Sequence, residues 1–311
     1  MPVYNKFKFI YWHFYLREGV VMEENITINW FPGHMAKARR LIQDNLKLVD
    51  VVVELLDARI PYSSSNPMIS EIIADKPRMI ALNKADLADP AITREWMEYF
   101  KTKNIPTVAI DSMTGKGMKS LLTKIEALAS DKVNKLVSKG ANARAARVMI
   151  LGIPNVGKSS LINRLAGASI AKTADKPGVT RTKQWIKIGK NLDLLDTPGV
   201  LWPKFEDMTV GLKLAFTGAI NDEVYDMEKV MNVFLETMCK DYPERLIERY
   251  KLTGNLSEAP LEALAMIAKK RGCLLKGGII DYEKARRIIL NEFRGGKLGL
   301  ISMDRAPVSN N

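Results

Sequence analysis

The chain has 311 residues, a formal net charge of +12, and 47% hydrophobic against 26% charged residues. That length supports two domains or one large one, each with a substantial core, and no apolar run reaches the length of a membrane span. The positive excess favours a polyanionic partner, nucleic acid or acidic lipid; the two cysteines, Cys239 and Cys273, have no ligand-spaced cysteine or histidine beside them, which excludes a zinc knuckle and fits a reducing compartment, the cytoplasm.

Residues 1–21 hold a short aromatic stretch, Phe7 to Leu16, without a small-residue cleavage site. Met22 opens a cleaner start, so 1–21 reads as an extension upstream of the native start. From Gly33, Met35, Ala38, Leu41, Ile42 and Leu46 hold helical spacing. Val51 to Leu56 reads as the apolar run of a buried parallel strand. A short helix then leads to a strand from Arg78 to Leu82, which delivers Asn83 at its carboxyl end. A helix near Pro90 to Lys101, a strand from Thr107 to Ile110, a loop from Asp111 to Gly117 and a helix to about Ala129 follow. The basic stretch Lys132 to Arg147 is a helical or loose connector. Val148 to Leu151 forms a strand, Ser159 to Leu165 opens a helix, and strands Gln184 to Ile188 and Leu192 to Leu195 end at Asp196. This alternation predicts an α/β fold, a doubly wound and mostly parallel sheet.

After Trp202 the strand signals vanish. Val224, Met227, Val230, Met231, Phe234 and Met238 keep helical spacing, Ser257 reads as an N-cap before Leu261, and Asp281 caps a helix that stops at Gly295-Gly296. The expected division is therefore 22–205, the sheet domain, and 206–311, a small all-α domain. Its charge is split: 206–265 leans acidic, whereas 269–297 carries Lys269, Lys270, Arg271, Lys276, Lys284, Arg286, Arg287, Arg294 and Lys297.

Gly152-Ile153-Pro154-Asn155-Val156-Gly157-Lys158-Ser159-Ser160 is a complete phosphate loop between a strand and a helix. Its glycines let backbone N–H groups turn onto phosphate oxygens. Lys158 is placed to bridge the β- and γ-phosphates, and Ser159 to ligate Mg²⁺. Asp196, in Asp196-Thr197-Pro198-Gly199, is the second magnesium residue, and the Gly199 N–H is the sensor of the γ-phosphate. Asn83-Lys84-Ala85-Asp86 selects guanine. The Asp86 carboxylate can accept from guanine N1–H and the 2-amino group, whereas adenine would leave it unpaired. Lys84 packs its stem along the base, and Ser112 belongs to the loop meeting guanine O6. Thr180 is the natural switch residue closing on Mg²⁺ with GTP but not GDP, with Thr173 and Thr182 as competitors. Around it Lys172, Lys176, Arg181 and Lys183 form either a solvated loop or an RNA-contacting switch.

The motifs stand in rotated order, base reader first and Asp196 loop last, so the chain after Gly199 is joined to the part that moves on hydrolysis. Val200 occupies the place where glutamine commonly positions the attacking water. Two substitutes are open: His34 orients the water, or K⁺ sits beside the phosphates with Asn155 as a ligand. His34 equally fits a structural turn.

Asn29-Trp30-Phe31-Pro32-Gly33-His34-Met35-Ala36-Lys37-Ala38, Asp57-Ala58-Arg59-Ile60-Pro61, the rotated motif order and Asp196 to Pro203 resemble the circularly permuted GTPases of the ribosome biogenesis GTPase A (YlqF) type. The resemblance covers roughly residues 26 to 300. It implies a role in late assembly of the bacterial large ribosomal subunit, hydrolysis served by His34, assistance by K⁺, and a helical tail touching ribosomal RNA. The cysteine spacing leaves no zinc site, and the lack of an amphipathic anchor weighs against stable membrane association. Competing classes are a nucleotide-gated recruitment protein that hardly hydrolyses, and a GTPase of tRNA modification or the membrane.

Overall fold

Alternating side-chain patterns build the sheet of the computed structural model, which describes residues 33–73, 76–138, 144–167, 184–197, 201, 207–257 and 259–307. The strands are β1 (Val51–Asp57), β2 (Arg78–Asn83), β3 (Thr107–Ala109), β4 (Ala146–Gly152), β5 (Gln184–Ile188) and β6 (Leu192–Asp196). They form a six-stranded sheet in the order β3-β2-β1-β4-β6-β5. Every neighbour pair is parallel except β5 with β6. The expected doubly wound, mostly parallel sheet is therefore present.

On β1, Val51, Val53 and Leu55 face one core while Val52 and Leu56 face the other, as the two-residue period of a strand requires. Helix α1 (Gly33–Leu46) and α3 (Pro67–Ile73) cover one face through Ile42, Leu46, Ile69 and Ile73. Helix α4 (Pro90–Thr102) covers β2 on that same side with Ile92, Trp96 and Phe100. Asp89 caps α4 by accepting from Ala91 and Ile92 N–H. The short α2 (Pro61–Ser64) follows β1 directly.

The other face carries α5 (Met118–Ser138), which packs across β2, β1 and β4, and α6 (Lys158–Ala166). Helix α5 runs further than its predicted end near Ala129. The basic connector therefore begins as helix, because Ala129 and Val133 still face the core. Helices α7 (Met208–Phe216), α8 (Met227–Asp241), α9 (Pro243–Tyr250), α10 (Pro260–Lys270) and α11 (Tyr282–Arg294) make the C-terminal region helical. Their buried residues, with Leu298 and Ile301, join the sheet-face cluster in one continuous apolar core. Ser257 does not cap α10: the helix starts at Pro260, which presets the first helical φ, and Ser257 instead donates its N–H and hydroxyl to Asn255 Oδ1. Among the described residues one isolated antiparallel bridge, Leu274 with Ile280, also interrupts the helices.

Glu54 breaks the apolar run of β1. It is 2% exposed. Burial pushes its carboxyl above the usual range, against the opposing pull of Arg78, the Ser65 hydroxyl and a backbone N–H at Asn66. A raised folded pKa means native stability is fullest below the ordinary carboxylate range and is lost as pH rises through the raised value. Glu54→Gln should therefore be more stable than the parent at pH 7–8, with the difference closing as pH falls toward about 4. Urea midpoints across that range measure it; a constant difference would show that ionisation of Glu54 is not involved.

Candidate nucleotide site

Three loops meet at the carboxyl ends of β2, β3 and β4, where open α/β sheets place their ligands. The side chain of Asn83 ties two of them together. It is 1% exposed; its Nδ2 donates to the Val156 carbonyl at 2.7 Å, and its Oδ1 accepts from Ser112 N–H at 3.1 Å. Residues 73 positions apart are thus held in one hydrogen-bonded unit. Lys84 makes the second crossing: its Nζ donates to the Asn155 carbonyl at 2.8 Å.

The phosphate loop is shaped by close approach. A Cβ at Gly152 would stand 2.6 Å from the Leu55 carbonyl, and one at Gly157 would stand 2.3 Å from Asn83 Nδ2. Gly157 also has φ +100, in the region that favours glycine. Asn155 and Lys84 are both left-handed non-glycine residues, at φ 55 and φ 58, a conformation that clusters at functional sites. Lys158 is buried and donates to the Gly152 and Ile153 carbonyls at 3.1 and 2.8 Å. Ser159 and Ser160 follow it, half-buried, in the first turn of α6, whose N-terminus favours anionic ligands.

On the base side Asp86 is exposed in the turn after Lys84. Although the residue is exposed, partial desolvation of its carboxyl raises it above the usual range, and the nearby Asp111 adds to that. The Asp111 loop is rigid: Asp111 Oδ1 accepts from Met113 and Thr114 N–H, and the Ser112 carbonyl accepts from Arg164 Nε at 3.3 Å. Asp196 ends β6 beside β4, and Thr197 Oγ1 donates to the Ile150 carbonyl at 2.6 Å. The Ser159 hydroxyl and Asp196 carboxylate are hard oxygen donors of the kind magnesium selects, and both elements rise from adjacent strands, so the residues fit that ion.

The structure therefore brings Asn83, Lys84, Asp86, Ser112, Asn155, Val156, Gly157, Lys158, Ser159 and Ser160 to one end of the sheet. His34 lies in the first turn of α1, and its side chain, like that of Asp196, is outside the described residues; Thr180 and Gly199 are wholly outside them.

Sequence reasoning gave no role to Asp57 and Arg59. Asp57 ends β1 beside β2, a strand-end position that marks ligand sites in such sheets. Nor did it find that the C-terminal region reaches the site. Asn155 Nδ2 donates to the Gly218 carbonyl, just past α7, at 2.7 Å.

A family model described as 50S ribosome-binding GTPase matches residues 147–249. Ribosome biogenesis GTPase A of Bacillus cereus is 54% identical, over 90% of this chain and 94% of that one. The chain belongs to the ribosome biogenesis GTPase A family. Two solved structures agree: a GDP-bound YlqF, with TM-score 0.60 and 30% identity over 86% of this chain and 99% of that one, and a GNP-bound YlqF from T. maritima, with TM-score 0.60 and 30% identity over 87% and 98%. This chain is accordingly a GTPase that binds guanine nucleotide, and its fold holds the Asn83 turn against the phosphate loop.

Gly157→Ala forces a methyl group onto Asn83 in a strained backbone conformation. Such strain is worth about 1–3 kcal/mol, so GDP affinity should fall roughly ten- to a hundredfold, as calorimetric titration would measure. Unchanged affinity would mean that the Asn83 bridge is dispensable.

Proposed function

We propose that this GTPase is an assembly factor for the large (50S) ribosomal subunit, binding ribosomal RNA or pre-particles in the GTP state and leaving after hydrolysis. The observation that carries this reading is the contact of Asn155 with Gly218: the loop that holds phosphate also holds the helical region. The working division is 22–205 for the GTPase domain and 206–311 for the RNA-binding domain. Lys269, Lys270, Lys276, Lys284 and Lys297 are exposed on the helical side and supply the attraction for phosphate. Arg271, Arg286 and Arg294 instead pair with Glu292, Glu228 and Asp222, so the basic surface is narrower than the sequence suggests.

In this reading Asp86 and Lys84 hold guanine, Ser112 lies at O6, and Lys158 spans the β- and γ-phosphates. Ser159, Asp196 and, in the GTP state, Thr180 would hold magnesium, which when bound would neutralise charge developing on the phosphates. Gly199 N–H senses the γ-phosphate, and His34 orients the hydrolytic water. K⁺ would meet the amide oxygen of Asn155, since Nδ2 already donates to Gly218. Val200 stands where glutamine commonly helps to place the attacking water, which leaves the particle as the partner that completes activation, and the cytoplasm is the compartment of that work.

Two measurements test the reading. Sedimentation with separated subunits should show binding to the large one, tighter by at least about tenfold with a non-hydrolysable GTP analogue than with GDP; equal affinities would remove the switch, since a ligand blind to two states shifts nothing. For the base, Asp86→Asn presents a donor where guanine also donates, but where xanthine has a carbonyl. GDP affinity should drop at least about a hundredfold while XDP gains; parallel loss of both would place Asp86 outside the base pocket.

A further inference from the structure

Beneath the guanine side of the pocket lies a buried charge cluster outside the nucleotide motifs. The Asp57 carboxylate accepts from Arg59 Nε at 2.9 Å and Nη2 at 2.7 Å, and it pairs with Lys84 Nζ at 3.1 Å. The side chains of Asp57 and Arg59 are 2% and 1% exposed. Against the burial that would raise it, Arg59 and Lys84 hold the Asp57 carboxyl well below the usual range. Burial pushes the Lys84 ammonium down; Asp57 pulls it up and Arg59 pushes it down again. One buried cation, Arg59, and one half-buried cation, Lys84, therefore share one anion.

The cluster continues into the helical region. The Arg59 guanidinium lies 5.1 Å from the centroid of the Phe293 ring on α11, a cation–π arrangement, and Arg59 Nη1 has no hydrogen-bond partner among the described residues. Phe293 packs edge-on to Phe234 at 5.1 Å, and Phe234 to Phe216 at 5.1 Å. The neighbouring Arg294 donates to the Ala215 and Phe216 carbonyls that end α7. Two residues later the Gly218 carbonyl takes Asn155 Nδ2, and the Asn155 carbonyl takes Lys84. The path closes on itself: both anchors of Lys84, Asp57 and Asn155, are gripped from the helical region, one through Arg59 and Phe293, the other through Gly218.

We propose that Asp57 is the positioning residue for Lys84 at the guanine pocket, and that Arg59 seated on Phe293 ties this position to the docking of the C-terminal helices. A long, flexible lysine side chain loses considerable rotamer freedom when it is fixed. Fixing its ammonium between a carboxylate and a carbonyl removes that freedom before nucleotide arrives. Without the carboxylate, Lys84 faces Arg59 with no intervening anion and moves away. Because linkage is reciprocal, guanine nucleotide on Lys84 also favours the docked helices. The inference rests on the reading that Lys84 lies at the nucleotide.

The test is a double-mutant cycle on the full chain, read as the Kd for GDP. Asp57→Asn and Lys84→Ala should each weaken GDP about tenfold, the scale of a charge-assisted hydrogen bond, and the double variant should be no weaker than Lys84→Ala alone. Phe293→Leu, which keeps an apolar filling but no ring, should weaken GDP about threefold in the parent and not at all beside Lys84→Ala. Additive losses would overturn the inference alone, since a merely structural role does not vanish with Lys84. No loss in Lys84→Ala would overturn the placement of that lysine as well. Should Asp57→Asn fail to unfold cooperatively, the Phe293→Leu cycle decides by the same criterion. The ribosomal partner enters none of these measurements, so either result leaves the assembly reading standing.

Discussion

One buried amide organises this molecule. Asn83 uses its donor on the phosphate loop and its acceptor on the Ser112 loop, with almost no exposure to water. A buried amide left half-paired costs about 1–3 kcal/mol, so the loops that would release it are penalised together. The base-reading strand, the phosphate loop and the Ser112 loop consequently form one rigid floor. Gly157 is glycine because that floor leaves no room for a methyl group, and Lys84 accepts a left-handed backbone because its ammonium is wanted across the same gap.

Most of the sheet was legible because parallel strands buried on both faces carry continuous apolar runs, and because Asn83 and Gly152 stand at their carboxyl ends. Glu54 shows where that rule bends: a buried carboxyl in the middle of β1 gives no warning in the sequence, since its partners, Ser65 and Asn66, come from the segment following the strand. The extension of α5 was hidden for another reason. Its last turns are polar, and tertiary packing of Val133 rather than local preference carries the helix on. Ser257 misled because an N-cap residue type was outweighed by Pro260.

In the pocket, the motif residues were legible as spacing and the contacts between them were not. The Asn155–Gly218 and Arg59–Phe293 contacts join residues far apart in the chain, and neither glycine nor phenylalanine at those positions differs from an ordinary turn or core residue when read alone. The acidic partners of Arg271, Arg286 and Arg294 were equally invisible, which is why a stretch that reads as a broad basic surface presents mainly its lysines.

The rotated order has a consequence beyond placing the helices after the Asp196 loop. Because the base reader comes early, the turn that follows it can receive the C-terminal tail. Ile301 N–H donates to the Leu87 carbonyl, Met303 N–H to the Arg59 carbonyl, and Asp89 N–H to Ser302 Oγ. Asp304 completes the clasp, accepting from Ser63 and pairing with Lys213 of α7, while its carbonyl takes Trp96 Nε1. The helical region thus leaves the sheet after β6 and returns to it beside the turn that follows β2. A segment tethered at one end can follow a moving loop while leaving the rest of the pocket unchanged. One tethered at both ends is held more firmly, because its own core, continuous with the sheet, resists stretching. Rotation of the motifs therefore leaves an appended helical bundle anchored to the sheet at two places, after β6 and beside the turn that follows β2.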